Sequence, residues 1–400
     1  YSVTSHMLSN RQLFLANTAQ TSASPRLIEI DRAEGVYLYS PNGQRYIDLV
    51  SGFAVSNIGH RHPRVLEAIT NQLDRFLHVT VYGEFVQAPQ VALATQLLAV
   101  LPERFESVYF TNSGTEATEG AMKIAKKFTG RRQIIAAKNA YHGSTQGALS
   151  LIGNPEYHQA YAPLLPEIGF IRYNHHDDIT KIDTSTAAVI LEAVQGEAGV
   201  RVPDVSYMHA VRKRCDETGT LLIFDEIQTG FGRTGELFAF QHYGIEPDIL
   251  LLAKGMGGGM PLGAFVASKT VMDVIKDNPM LGHITTFGGH PVSCAAALAS
   301  LHVILDEHLI ADVERKAQLF RQHLQHPSIR EIRGVGLMLC IQLDTFEQVA
   351  NVSTYCAANG VIIDWFLHCA TALRISPPLI ISDDEIASAC RVILDALDRL

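Results

Sequence analysis

Residues 221–268 read LLIFDEIQTGFGRTGELFAFQHYGIEPDILLLAKGMGGGMPLGAFVAS. Short apolar runs, LLIFDE, DILLLAK and GAFVAS, are separated by polar and glycine-rich stretches, and Asp225 and Lys254 each stand near the end of one, 29 residues apart. Working outward, VYF, QIIAAK and AAVILEAV extend the pattern back to Val108, with helical patterns between the runs. Six such runs in alternation predict an α/β domain around a mostly parallel sheet, with functional groups at the strand carboxyl ends.

The flanking segments read differently. GVYLYSPNGQRYIDL predicts a hairpin turning at Asn42-Gly43, outside any βαβ unit. After about Ser293 come long amphipathic stretches, then REIRGVGLMLCIQL, VIIDWF and TALRISPP. Residues 1–50 and 293–400 are therefore expected to form a small α+β domain from both chain ends, packed on a large domain of residues 51–292.

Composition narrows the function. A 400-residue chain with 47% hydrophobic and 18% charged residues fits a globular protein with a substantial core. Thirty-two basic against 41 acidic residues leave a net charge of -9, which offers no footprint for nucleic acid or anionic membranes and favours small-molecule chemistry. Cys215, Cys294, Cys340, Cys356, Cys369 and Cys390 lack C-x-x-C spacing and point to a reducing cytoplasm, with no metal site. Ser293 to Leu305 is far shorter than the roughly 20 apolar residues of a membrane span. The opening YSVTSHMLSN has no basic n-region followed by an apolar h-region, so no export signal is expected.

Asn112-Ser113-Gly114-Thr115-Glu116 joins the strand VYF to a helical pattern, with capping-box spacing at Ser113 and Glu116 and Gly130 at the far end. It reads either as an ordinary capped helix or as an anion site, where free N–H groups and the helix dipole meet a phosphate close to Gly114. Asp225, after four apolar residues, belongs at a buried strand tip, where a carboxylate needs a partner; a surface carboxylate is the alternative. Lys254 precedes Gly255, Gly257, Gly258 and Gly259 and is either a solvated strand-end lysine or a buried, nucleophilic amine. A lysine that can form a Schiff base with an aldehyde and a carboxylate that can keep a pyridine nitrogen protonated are the pair that pyridoxal phosphate chemistry requires.

Other residues extend the site. Tyr141, after QIIAAK, is placed to stack on a cofactor ring or simply to pack a loop. Gln228 suits a cofactor phenolic oxygen or solvent, and Thr286 in HITTFGGHP is a candidate phosphate ligand. Glu197 and Arg374 are candidates for handling substrate, since arginine grips a carboxylate bidentately; a surface ion pair is the plain alternative. Gly230, Gly232 and Gly235 form G-x-G-x-x-G, but the acid about 20 residues on, Asp248, precedes its strand instead of ending it, which counts against a dinucleotide site.

In this order, GVYLYSPNGQRYIDL, GHRHP, NSGTEATEGAMKIA, NAYHGS, LEAVQGEAGV, LLIFDEIQTGFGRTG, the Lys254 segment, TTFGGHP and LRISPP resemble the class III aminotransferases, fold type I pyridoxal phosphate enzymes, and within them the acetylornithine and ornithine group. The resemblance covers nearly the whole chain. It implies that Lys254 binds pyridoxal 5'-phosphate covalently and shuttles the proton, Asp225 pairs with the pyridine nitrogen, Tyr141 stacks on the ring and Gln228 meets the phenolic oxygen. Ser113, Gly114 and Thr115 would hold the phosphate, and Thr286 would reach that of the neighbouring subunit in a homodimer. Arg374 matches the family's carboxylate-binding arginine, and Glu197 the glutamate that masks it for an ω-amine donor. The implied reaction is ping-pong transfer from an ω-amino or α-amino donor to an oxo acid, with 2-oxoglutarate the expected acceptor. Two departures bear on substrate: Ser144 follows Gly143 where acetylornithine and ornithine enzymes commonly carry arginine, and Ala23 falls roughly where ornithine enzymes place a substrate-binding tyrosine. The first brings pyruvate in as a second acceptor. An aminomutase, decarboxylase or lyase on the same fold, or a non-catalytic regulatory protein that binds the cofactor, is the competing reading.

Overall fold

The computed structural model describes residues 8–400, so the first seven residues of the opening stretch read against an export signal lie outside it. Its centre is a seven-stranded sheet. Across the sheet the strands run Ser107–Thr111, Gly263–Ala267, Ile249–Leu252, Leu221–Asp225, Thr186–Glu192, Gln133–Ala137 and Ile168–Ile171. Gly263–Ala267 is antiparallel to both neighbours, and the remaining pairs are parallel. The mostly parallel sheet of the sequence reading is present, with Ile168–Ile171 as an unpredicted seventh strand; it is short, interrupted by Gly169 and only partly buried at the edge.

Strand residues alternate between two buried faces, which is why these strands read as unbroken apolar runs. Leu222, Phe224, Leu250 and Leu252 enter one core, where the helix Val205–Thr218 contributes Tyr207, Met208, Val211 and Cys215. Leu221, Ile223, Ile249 and Leu251 enter the other, against Ala117, Ala121, Ile124 and Ala125 of the helix Gly114–Thr129.

The predicted hairpin forms from Tyr37–Tyr39 and Arg45–Asp48, but the connection is the five-residue Ser40–Gln44 rather than a two-residue turn, with Gly43 at φ 84°. Val361–Ile362 adds in parallel to Arg45–Asp48, so segments from both ends of the chain share one sheet. A further antiparallel sheet orders Glu331–Val335, Met338–Gln342, Cys369–Ile375 and Asp364–Phe366. The helix Pro291–Asp306, which crosses position 293, buries Cys294, Ala296, Ala297 and Leu301 in the central core, whereas Val313 and later residues enter the C-terminal one. Among the described residues no single helix is long and apolar enough to cross a membrane.

The glycine pattern at 230–235 opens no α-helix. Gly232 and Gly235 take φ near 90° in a turn, and Glu226 closes the loop by accepting the N–H groups of Ala239 and Phe240 at 2.9 and 2.7 Å. The turn presents Arg233, which is fully buried. Its guanidinium donates to the carbonyls of Leu337 and Pro377, to Asn57 Oδ1 at 2.6 Å and to Ser51 Oγ at 3.3 Å. Burial pulls its pKa down to about 9, so it remains cationic at neutral pH.

Ser51 begins a left-handed turn in which Ser51, Gly52, Phe53 and Ala54 all have positive φ, between 47° and 66°. L-residues resist this conformation, so it needs support from its surroundings. Asp48 Oδ1 accepts the N–H groups of Val50 and Ser51 at 2.9 and 2.8 Å, and Ser51 Oγ donates to the Ser376 carbonyl at 2.6 Å. Arg233→Met is expected to orphan two buried carbonyls and loosen this turn, lowering unfolding free energy by about 2–4 kcal/mol, read as a lower urea midpoint.

Candidate functional site

At the carboxyl edge of the parallel strands is a cavity of about 570 Å³. Ser113, Gly114, Thr115, Tyr141, Ser144, Glu197, Asp225, Gln228 and Lys254 all line it. Arg374 stands behind Glu197, while Thr286 lies in a separate recess beside Asn112 and Glu116, and Ala23 lines neither.

Register brings two carboxylates side by side, because Glu192 pairs with Asp225 across parallel strands. Asp225 Oδ2 lies 2.7 Å from His142 Nδ1, and Oδ1 accepts the Ile227 N–H at 2.9 Å. Burial pulls the His142 imidazole down, but Asp225 and then Glu192 outweigh it, and its pKa is raised. Sequence reasoning assigned roles to neither His142 nor Glu192. Yet Glu192 ends an apolar run just as Asp225 does, and His142 sits within the YHG segment.

Lys254 follows the strand Ile249–Leu252 with φ 46°, a left-handed turn unusual for a lysine. Burial depresses its ammonium pKa, opposed by Glu197, and the fraction of free amine rises accordingly. The predicted helix forms as Gly114–Thr129, with Ser113 Oγ accepting the Glu116 N–H at 3.3 Å. The reciprocal half of the predicted capping box is absent: the Glu116 carboxylate takes the N–H of Asn112 at 2.6 Å instead of that of Ser113. The first-turn N–H groups of Gly114 and Thr115 have no partner within the helix, as at any helix start.

The loop above is braced to this helix, since Thr115 Oγ1 and Thr145 Oγ1 lie 2.7 Å apart and Thr145 donates to Glu119 at 2.6 Å. A Cβ on Gly143 would stand 2.2 Å from Thr115 Oγ1, so glycine is required at this close approach. Tyr141 Oη and Ser144 Oγ are 3.1 Å apart. Gln228 has a buried side-chain oxygen without a partner among the described residues; amide orientation is interchangeable, so a donor or an acceptor is available there.

Glu197 and Arg374 form a 2.6 Å ion pair, with Arg374 only 2% exposed. Burial pushes the Glu197 carboxyl up, but Arg374, the Leu367 N–H and Lys254 together bring it below its ordinary value, so the pair is ionic. The Phe366 and Phe53 rings stand 4.4 and 5.1 Å from the guanidinium, the second presented by the left-handed turn. Phe53 carried no sequence signal, because its position depends on that backbone.

A buried carboxylate at a strand end, a buried lysine and a capped helix start thus line one cavity and suit a phosphorylated, aldehyde-bearing cofactor. The chain belongs to the class-III aminotransferases: the family model "Aminotransferase class-III" matches residues 18–397. It is 40% identical over 367 residues to an acetylornithine aminotransferase from Methanopyrus kandleri, covering 91% of this chain and 92% of the relative. It is also 40% identical to one from Corynebacterium efficiens, covering 93% of each. Among solved structures, an ornithine aminotransferase from Toxoplasma gondii superposes with a TM-score of 0.90 at 31% identity, covering 98% of this chain and 96% of that one. A PLP-bound amine transaminase from an uncultivated Pseudomonas species gives 0.88 at 29% identity, covering 96% and 98%. The protein is thus a pyridoxal phosphate-dependent aminotransferase of fold type I.

Burial raises Glu192 to about 7, with His142 opposing and Asp225 adding to the shift. Between about pH 4.5 and about 7 the native carboxyl holds a proton that the unfolded chain has released, so this group lowers stability as pH rises through that window. Glu192→Gln is expected to flatten the decline in urea midpoint from about pH 5 to about pH 8. An unchanged slope would show that Glu192 titrates alike in both states.

Proposed function

We propose that the enzyme takes the amino group of an ω-amino or α-amino donor of the acetylornithine, ornithine or 4-aminobutyrate type and passes it by a ping-pong mechanism to an oxo acid, with 2-oxoglutarate the leading acceptor. The observation that carries this is the closed Glu197–Arg374 pair, whose Glu197 lines the same cavity as Lys254 with Arg374 behind it. Paired, it presents no free cation to the chain of an ω-amine; opened, it offers a guanidinium to an α-carboxylate.

Lys254 would hold pyridoxal phosphate, which would supply the electron sink that lets the hydrogen on an amine-bearing carbon leave as a proton. The chain's residues supply the rest. Gly114 and Thr115 N–H groups with Ser113 bind the phosphate at the positive helix end. Asp225, hydrogen-bonded to His142, would pair with the pyridine nitrogen and keep it protonated. Tyr141, steadied by Ser144, would pack on the ring, and Gln228 would meet the phenolic oxygen. Lys254 Nζ, once displaced by the donor amine, would take the proton from the donor's carbon and deliver it to the cofactor, and run the reverse transfer with the acceptor.

Ser144 favours a second acceptor. Its hydroxyl is within hydrogen-bonding reach of Tyr141 and cannot form a bidentate pair with a distal carboxylate, so pyruvate competes with 2-oxoglutarate. A homodimer accounts for Thr286, which lies outside this chain's cavity and is assigned to the phosphate of a second copy. Val91, Met280, Leu281 and Ile284, each at least half exposed around one surface recess, support such an interface. Six unpaired cysteines, five of them buried, accord with a reducing cytoplasm.

Single donors added to cofactor-loaded protein without oxo acid should bleach the aldehyde-form absorbance, and the active donor names the class. If no donor converts loaded protein, the aminomutase, decarboxylase or lyase reading gains. Asp225→Asn should reduce this half-reaction at least about a hundredfold, and near-normal turnover would remove its role. In Lys254→Ala, borohydride should no longer fix cofactor to the chain.

A further inference from the structure

Glu197 is held from two sides. Oε1 meets Arg374 at 2.6 Å, while Oε2 accepts the Leu367 N–H at 3.0 Å. The next N–H, that of His368, donates to the Glu197 backbone carbonyl at 2.9 Å. Leu367 and His368 form the two-residue connection between Asp364–Phe366 and Cys369–Ile375, the strand that carries Arg374.

This connection is gripped from its other side as well. Tyr157 Oη donates to the Leu367 carbonyl at 2.6 Å, and its ring meets that of His368 edge-on with centroids 4.9 Å apart. Asn154 Nδ2 and His368 Nδ1 are 3.3 Å apart. The Leu367 carbonyl and the His368 N–H belong to one peptide group, pinned at one end by Tyr157 and at the other by the Glu197 carbonyl. A hydroxyl on the carbonyl polarises that peptide and strengthens the hydrogen bond that the His368 N–H donates to the Glu197 carbonyl. With the plane fixed, the preceding N–H is aimed at Glu197 Oε2.

We propose that the Leu367–His368 connection is a second latch on Glu197 and that Tyr157 is the positioning residue that sets it. The inference rests on the roles given above to Arg374 and Glu197. Uncovering Arg374 breaks two bonds to one carboxylate rather than one, so Tyr157 governs how often the guanidinium is free. A ligand that needs the open form binds with an apparent affinity scaled by the open fraction. Tyr157 thereby sets the balance between carboxylate-bearing acceptors and ω-amine donors without lining the cavity.

Tyr157→Phe tests this, because it keeps the ring and removes only the hydroxyl. The probe is glutarate, a dicarboxylate that cannot exchange an amino group, titrated calorimetrically into cofactor-loaded enzyme. Glutarate is expected to bind about twofold to tenfold tighter, with the KM for 2-oxoglutarate or pyruvate falling in step and the ω-amine KM not falling. Amide hydrogen exchange at Leu367 and His368 should quicken. Glu197→Gln, which weakens the mask itself, is the control. If it tightens glutarate binding while Tyr157→Phe leaves binding unchanged or weaker, the latch is wrong and the gate stands. If neither variant tightens it, the reading of Arg374 and Glu197 fails, and the latch with it.

Discussion

Parallel pairing fixes which strand ends finish together, and the site depends on that register. Glu192 is level with Asp225, and Asp225 with Leu251, two residues before the backbone leaves the sheet toward Lys254. Two carboxylates and an amine are thus delivered to one edge by backbone hydrogen bonds alone. Because side chains alternate with a period of two, a one-residue slip would send Asp225 to the opposite face and bury it in apolar side chains. Polar groups so close in a desolvated place require partners, and His142 supplies one to Asp225 from the neighbouring loop.

Substrate handling is built differently. Arg374 arrives on a strand of another sheet, Glu197 on a loop after a central strand, and Phe53 on a left-handed turn near the hairpin. The residues proposed to hold the cofactor therefore gather at one sheet edge, while those proposed to meet substrate come from separate parts of the chain. Specificity can then change through the seams between those parts without disturbing the proton chemistry.

The same division explains what was legible in sequence. Asp225, Lys254 and the Ser113–Gly114–Thr115 helix start could be read because local patterns place them: apolar runs ending in a charge, and a cap before a helical period. The edge strand Ile168–Ile171 was missed because a short run with a glycine and one solvent-facing side has little hydrophobic signature. His142 and Glu192 lay within segments already singled out, but their roles arise from pairing across strands, which the sequence does not display. The capping box at Ser113 was only half right, since Asn112 competes for the same glutamate. Phe53 and the Leu367–His368 connection were invisible, the first because four successive positive φ angles are a tertiary effect and the second because its contacts are backbone groups, alike in every residue.

Arg233 has a consequence for how the protein is made. Its guanidinium is satisfied by Ser51, Asn57, Leu337 and Pro377, so its partners span from early in the chain to just before the last helix, Asp383–Leu397. During synthesis the central sheet can form while this arginine still lacks its final carbonyl. The turn bearing Phe53 and the segment bearing Arg374 lock only after nearly all of the chain has left the ribosome. Through Ser51 the turn bearing Phe53 is tied to Ser376, 325 residues on, so it is complete only when both ends of the chain are in place.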